Sequence, residues 1–326
     1  MWTDFYLALL AGSALDLLLG DPAWLYHPVC VIGKYISWCE KRLRARGGNL
    51  RKSAVWLTAS TVLLTALAAG LLVFLSGLLG RVPRLIVMAL LSWMGLSARC
   101  LAQEAVGVEK ALGRGLDAGR RQVARIVGRD TAALDEREVV CATIETVAEN
   151  TTDGVISPML YGMLGGPVLM WAFKASSTLD SMVGYMDEKY RDVGWSSAKL
   201  DDLLNYLPAR LTGCLLCLAA WLCGLDGGAA FRIMKRDHRN HKSPNCAWSE
   251  AAAAGALHVQ LGGTHLYFGK PVVKPTIGDD LRVPEKRDIR LAVRMMYAAS
   301  GLMLAMITLA VWALGGLGCQ DESAAV

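Results

Sequence analysis

The sequence predicts an all-α, polytopic integral membrane protein with four to six membrane segments and polar, partly helical cytoplasmic loops. Three observations carry that expectation. Of the 326 residues, 54% are hydrophobic, and they gather into long runs instead of recurring at helical period. Residues 53–80 and 295–318 contain no charge, and each exceeds the roughly 20 residues that a helix needs to cross about 30 Å of hydrocarbon. The charges, 34 basic and 29 acidic for a net of +5, are unevenly placed. Segment 33–52 holds seven Lys and Arg against the lone Glu40, which the positive-inside rule assigns to the cytoplasm. Membrane lipid is the partner this pattern calls for; nothing in it calls for nucleic acid.

In chain order, 5–19 is an apolar segment with no basic residue before it and Asp16 within it, read as a retained membrane segment and not as a cleaved signal. Gly20, Asp21 and Pro22 then make a turn leading to His27 and Pro28. Spans follow at 53–80 and 85–98, which return the chain to the basic side. The stretch 99–153 is polar. In it Leu101, Ala105, Val108, Leu112 and Leu116 share one helical face. A second helix should start at Asp135, capped with Glu138 three residues on, burying Val140, Ile144 and Val147 and ending near Asn150, Asp153 and Gly154. Two further apolar stretches, 154–173 and 203–224, are read as re-entrant or spanning segments. The first is broken by Pro158 and by Gly165, Gly166 and Pro167, and the second carries Arg210. Between Asp226 and Arg290 the chain is polar with an alanine-rich helix at 250–257, and 295–318 is the last span. The whole, 1–326, reads as one membrane domain. The nine cysteines sit mostly in or beside apolar runs, so Cys214 and Cys217, although spaced CxxC, read as small hydrophobes.

Several clusters of polar residues flank these segments. Glu145 and Glu149 project from one side of a helix end with Asp153 close behind. Like charges there oppose both the helix dipole and each other, which a Mg²⁺ ion with phosphate oxygens would relieve; a solvated acidic helix end is the plain alternative. Ser177, Thr178, Asp180 and Ser181 concentrate hydroxyls and a carboxylate suited to phosphate or metal contacts, or to helix capping. Asp201, Asp202 and Asn205 precede Arg210, which in apolar surroundings needs an aspartate or a ligand phosphate. His238 and His241 lie in a basic run that reads as a solvated or phosphate-binding loop. Gly263 to Lys270 is one residue too long for a P-loop and has Pro271 in the Ser/Thr place.

Six motifs then occur in order: GDPAWLYHPVCVIGKYI at 20–36, ENTTDGVISPMLYGMLGG at 149–166, STLDSMVGY at 177–185, DDLLNYLPARL at 201–211, SPNCAWSEAAAAGAL at 243–257 and LGGTHLYFG at 261–269. Together they resemble the adenosylcobinamide-phosphate synthase family, also called CobD or CbiB, over nearly the whole chain. Ser177 stands where the family often has Asn, and Ser249 where Pro is common. The resemblance implies ATP-dependent amide formation between adenosylcobyric acid and (R)-1-amino-2-propanol phosphate or free aminopropanol, with an acyl phosphate as the expected activated species. It points to Glu145, Glu149, Asp153 and Asp180 for Mg²⁺. For phosphates it points to Ser177, Thr178, Ser181, Arg210, Lys242 and Asn245, and for the base to Asp201, Asp202 or His27. ATP lies in the cytoplasm, so the expected location is the cell membrane, multi-pass, with the active site facing inward and other pathway enzymes as partners. A corrinoid or small-solute transporter and a non-catalytic pathway scaffold are the rival readings.

Overall fold

The computed structural model describes residues 2–22, 24–185, 189–267 and 269–323. Its helices are α1 (Trp2–Leu19), α2 (Pro28–Arg46), α3 (Leu50–Leu78), α4 (Arg81–Gly95), α5 (Ala98–Leu112), α6 (Leu116–Val123) and α7 (Glu136–Thr151), followed by a π-helical turn (Thr152–Ile156). Then come α8 (Ser157–Val183), α9 (Trp195–Leu204), α10 (Tyr206–Leu222), α11 (Gly227–Asp237), α12 (Cys246–Leu257), strands β1 (Leu261–Tyr267) and β2 (Lys270–Ile277), and α13 (Lys286–Ser323). The protein is therefore a helical, multi-pass membrane protein. Among the described residues five helical stretches are long and apolar enough to cross a bilayer: Trp2–Leu19, Leu50–Leu78, Arg81–Leu112, Glu136–Val183 and Lys286–Leu314. The pair α9 and α10, broken at Asn205, makes a sixth when counted as one bent span.

The chain divides into two compact units, one of residues 1–97, 157–204 and 303–326, the other of 98–156 and 205–302. No shift in composition marks that division in the sequence. In the first unit α1 lies on α4 and α3 on α8. Its core gathers Ile36, Leu57, Leu91, Trp171, Leu179 and Val193, and the Trp171 indole donates to the Leu91 carbonyl at 3.0 Å. Asp4 would be costly in an apolar helix alone, but Arg81 (2.8 Å) and Arg84 both pair with it. One side of α3 leaves Leu63, Leu67, Leu71, Phe74 and Leu78 exposed, an apolar stripe that fits lipid. Helix α8 is interrupted where Gly165, Gly166 and Pro167 foretold it. Gly166 adopts φ 62° with the Phe5 ring against it, a conformation and a space that exclude a side chain.

In the second unit α12 packs on α10, α11 and α7. Its alanines 247, 251, 252, 253, 254 and 256 are all buried, so the helix is enclosed by close backbone approach. The polar stretch after α12 is a surprise relative to the all-α expectation. Strands β1 and β2 pair antiparallel, with Thr264 opposite Val273, His265 opposite Val272 and an irregularity between Leu261 and Gly263. The signal was present in the β-branched pair Val272 and Val273 and in Gly269 between the two runs.

Two local expectations need correction. Helix α7 is capped as foretold: Asp135 accepts from the Glu138 amide at 2.7 Å and Glu138 accepts from the Asp135 amide at 2.8 Å. It does not end at Asn150 to Gly154, however, because the backbone passes into the π turn and on into α8. The expected face of Leu101, Ala105, Val108 and Leu112 is buried, but Leu116 begins a separate helix after a bend at Gly115.

Candidate functional site

The second unit brings together an unusual density of ionisable groups around the end of α7. Glu145 is not on a solvated face: it is 6% exposed, pairs with Arg129 (9% exposed), and accepts a hydrogen bond from the Gly262 amide of β1 at 2.8 Å. Both carboxylate oxygens are thus engaged by the protein, and Glu145 ties the loop before α7 to the hairpin. One turn on, Glu149 accepts from the Cys246 thiol of α12 at 3.2 Å. The π turn follows at once and re-aims Asp153, since a widened turn adds a residue to the helical repeat. Within that turn Thr152 is buried and, among the described residues, its hydroxyl has no hydrogen-bond partner.

Glu250 of α12 faces this cluster at 5% exposure. Burial, reinforced by the Glu145 and Glu149 carboxylates, holds its carboxyl well above the usual range. Burial likewise raises the Cys246 thiol well above its ordinary value, assisted by Glu149, Glu250 and Asp153, leaving an unreactive thiol that donates to Glu149. His241 is pushed down by burial and then by Lys274. Its Nδ1 accepts from the Ser243 amide at 3.0 Å, so the neutral ring carries its proton on Nε2 and acts as a donor. His265 of β1 is 6% exposed and is lowered by burial and then by Arg129. Among the described residues neither of its ring nitrogens has a hydrogen-bond partner. This buried imidazole, beside Arg129, Lys274 and Glu145, is free to hydrogen-bond a water or a polar ligand.

Arg210 also lies in this unit, and its partners differ from those expected. It donates to the Tyr206 carbonyl (2.5 Å) and to Asn245 Oδ1 (3.3 Å), and stacks over the Tyr206 and Trp248 rings with centroids at 3.4 and 5.0 Å. Carbonyl and amide oxygens and aromatic faces thus take the place expected of an aspartate, because the break at Asn205 puts Asp201 on a different helix from Arg210. Asn245 is buried just before α12, whereas Lys242 is exposed.

The first unit holds the other residues singled out in the sequence. On α8, Thr178 and Ser181 donate their hydroxyls to the Lys174 and Ser177 carbonyls at 2.7 and 2.8 Å, which leaves their lone pairs as acceptors. Asp180 sits on the same helix. Asp201 on α9 is buried, and Asp202 pairs with Lys199 at 3.6 Å. His27 caps α2, its Nδ1 accepting from the Val29 amide at 3.2 Å. Burial, and next the Lys174 charge, lower its pKa against the opposing pull of Asp21. A backbone hydrogen bond to Met94 also acts on the ring, so His27 is held in place at the start of α2.

Sequence reasoning did not single out Arg129, Cys246, Glu250, His265 or Lys274. Glu250 was findable as a lone carboxylate inside an alanine run, and Gly263 opposite Lys274 would have followed from recognising the hairpin. Arg129 carried no signal: it sits in a polar loop among other arginines.

Mg²⁺ can be tested against these donors. Glu149 and Asp153 present hard carboxylate oxygens about one turn apart, and the orphaned Thr152 hydroxyl lies between them in sequence. That set suits an ion that takes one or two carboxylates and completes its shell with water and phosphate. Among the described residues no three His, Cys, Asp or Glu side chains close around one point, so the protein does not form a full cage.

Comparison with known proteins places these residues in a family context. The family model described as "CobD/Cbib protein" matches residues 9–296. The chain is 53% identical over 303 residues to "Cobalamin biosynthesis protein CobD" of Geobacter metallireducens, covering 93% of this chain and 95% of that protein. It is 45% identical to the protein of the same name from Listeria monocytogenes serovar 1/2a (90% and 94% covered). It is 43% identical to "Cobalamin biosynthesis protein CbiB" of Salmonella typhi (93% and 96%). No solved structure matches the chain.

Proposed function

Because this chain belongs to the CobD/CbiB family, we propose that it acts in cobalamin biosynthesis as an adenosylcobinamide-phosphate synthase. It would form an amide between a carboxylate of adenosylcobyric acid and the amine of (R)-1-amino-2-propanol phosphate or aminopropanol, at the expense of ATP. The observation that most supports an enzyme is the buried Glu250, its carboxyl raised beside Glu149 and Glu145 in a cluster that also holds Arg129, Lys274 and His265. Buried carboxyls with perturbed pKa values beside specific charge partners are the pattern that functional sites favour.

In this reading Glu149 and Asp153 hold Mg²⁺, whose chemistry is to neutralise charge developing on transferring phosphate oxygens. Glu145 keeps Arg129 in place, and Arg129, Lys274, His241 Nε2–H and His265 present positive charge and donors to phosphate. The substrate carboxylate takes the γ-phosphoryl group and ADP leaves; the amine nitrogen then attacks the acyl carbon, the C–O bond to phosphate breaks, and the ammonium proton is lost. Glu250, its carboxyl raised by burial, is a candidate to exchange that proton. The assignments of Ser177, Thr178, Ser181, Arg210, Lys242 and Asn245 to phosphate, Asp180 to metal, and Asp201 or Asp202 to proton acceptance are carried as parts of the same proposal. So are the location in the cell membrane and a cytoplasm-facing site.

The transporter reading draws support from the break in α8 at Gly165–Pro167. The two separate cleanly in a purified, detergent-solubilised preparation given both substrates, ATP and Mg²⁺. Amide product by mass spectrometry is expected. Corrinoid uptake by vesicles without product would overturn the proposal.

A further inference from the structure

At the far end of α12, about 12 Å along the helix from Glu250, the second unit contains a cavity of about 830 Å³. Its walls are the turn between α10 and α11, the last turn of α12, and the first turns of α13. Four arginines line it, and they are not equivalent. Arg282 is locked in a two-bond pair with the fully buried Asp288 at 2.7 and 2.8 Å, and Arg290 is held by Glu109 at 2.5 Å. Arg287 meets Glu285 at 2.8 Å with 71% of its side chain exposed, the kind of pair that contributes little. Arg294 forms no ion pair among the described residues. Arg287 and Arg294 are seven residues apart, so both lie on the same face of α13, with Leu291 between them.

The position of this cavity along the chain decides what it faces. Directly after Arg294 the chain enters its uncharged run at 295–318. Helix α10 ends at the same level: Cys223 lies within reach of the Arg294 charge, just after the exposed Trp221 and Leu222. An exposed tryptophan, the end of one apolar helix and the start of another mark the edge of the hydrocarbon. Within the cavity Leu225, Leu257 and Leu291 give an apolar floor beneath the two available guanidiniums. A small anion would satisfy the arginines and leave that floor bare, whereas a lipid uses both.

We propose that this groove binds the phosphate head group of an anionic phospholipid, held by Arg287 and Arg294, with its glycerol and first methylenes on Leu225, Leu257 and Leu291. Forked guanidinium donors match phosphate oxygens, and arginine at the membrane surface favours anionic lipid. The site is separate from the carboxylate cluster and does not depend on the proposed reaction.

Native mass spectrometry of the full-length, detergent-solubilised protein tests it, with phosphatidylglycerol, phosphatidylcholine and inorganic phosphate as probes. Phosphatidylglycerol should be retained in preference to phosphatidylcholine. Each arginine removed should weaken retention about fivefold, and Arg287→Gln with Arg294→Gln about 25-fold. Arg294→Lys should keep most of the binding, and an equal loss of charge elsewhere, Arg46→Gln with Lys52→Gln, should leave it within about twofold of the wild type. Equal retention of the two lipids, an unchanged double variant, or an equal loss in the charge control would overturn the proposal. Displacement of phosphatidylglycerol by inorganic phosphate would reassign the groove to a small anion.

Discussion

The pair between Arg129 and Glu145 allows a sharp test of how the carboxylate cluster is built. In Arg129→Met the Glu145 carboxylate stays buried, with the Gly262 amide at 2.8 Å as its compensating contact. Breaking a buried pair from one side costs about 3–5 kcal/mol, because one charge is left desolvated. The surviving amide bond and the option of protonating Glu145 put the expected loss at the lower end, about 3 kcal/mol. Adding Glu145→Gln removes the stranded charge and keeps an acceptor for Gly262, so the double variant should return to within about 1 kcal/mol of the wild type. Unfolding by sodium dodecyl sulfate in mixed micelles, followed by tryptophan fluorescence, reads the difference. A single variant that loses less than about 1 kcal/mol, or a double variant as unstable as the single one, would refute the reasoning. Half-saturation by Mg²⁺ in the folded double variant adds a second reading: unchanged if Glu145 only positions Arg129, and raised about tenfold if Glu145 belongs to the metal shell.

Three other expectations follow from the same geometry. Glu250 titrates above the ordinary 4.5 in the folded chain, so its stability contribution is present below that pH and is lost as the pH rises. Glu250→Gln should therefore stabilise the protein at about pH 8, with the gain vanishing towards pH 4.5; a gain independent of pH would contradict the raised pKa. Gly166→Ala forces a side chain onto φ 62° and into the Phe5 ring, at a cost of about 2 kcal/mol in the same unfolding assay; a neutral result would show that α8 is not held at that break. Asp192 is exposed, so Asp192→Cys, made with the exposed Cys30 and Cys214 replaced by Ser, should react with an impermeant thiol reagent only after cells are opened. Labelling of intact cells would place 174–202 outside and remove the cytoplasm-facing site.

The spans were legible because lipid demands long uncharged runs, and that demand is written directly into composition. The cap of α7 was legible for a similar reason: Asp135 and Glu138 satisfy each other locally. Long-range partners were not. Nothing in the local pattern tells that Glu145, spaced like a surface residue, is covered by a loop arginine and a strand amide. The π turn at Thr152–Ile156 also eluded pattern reading, because Asn150, Asp153 and Gly154 resemble a helix stop as much as a widened turn. Of the candidate site residues, Glu149 and Asp153 were singled out by spacing. Glu250, His265 and Lys274 became meaningful once α12 and the hairpin stood beside α7.

The central claim, that this chain makes an amide by activating a carboxylate with ATP, is tested most directly by counting ADP and amide product together in one reaction of the purified protein. The account predicts one ADP for each amide formed, dependence on Mg²⁺, and loss of both products in Glu149→Gln. Amide formation without nucleotide turnover, or full activity in folded Glu149→Gln, would contradict it.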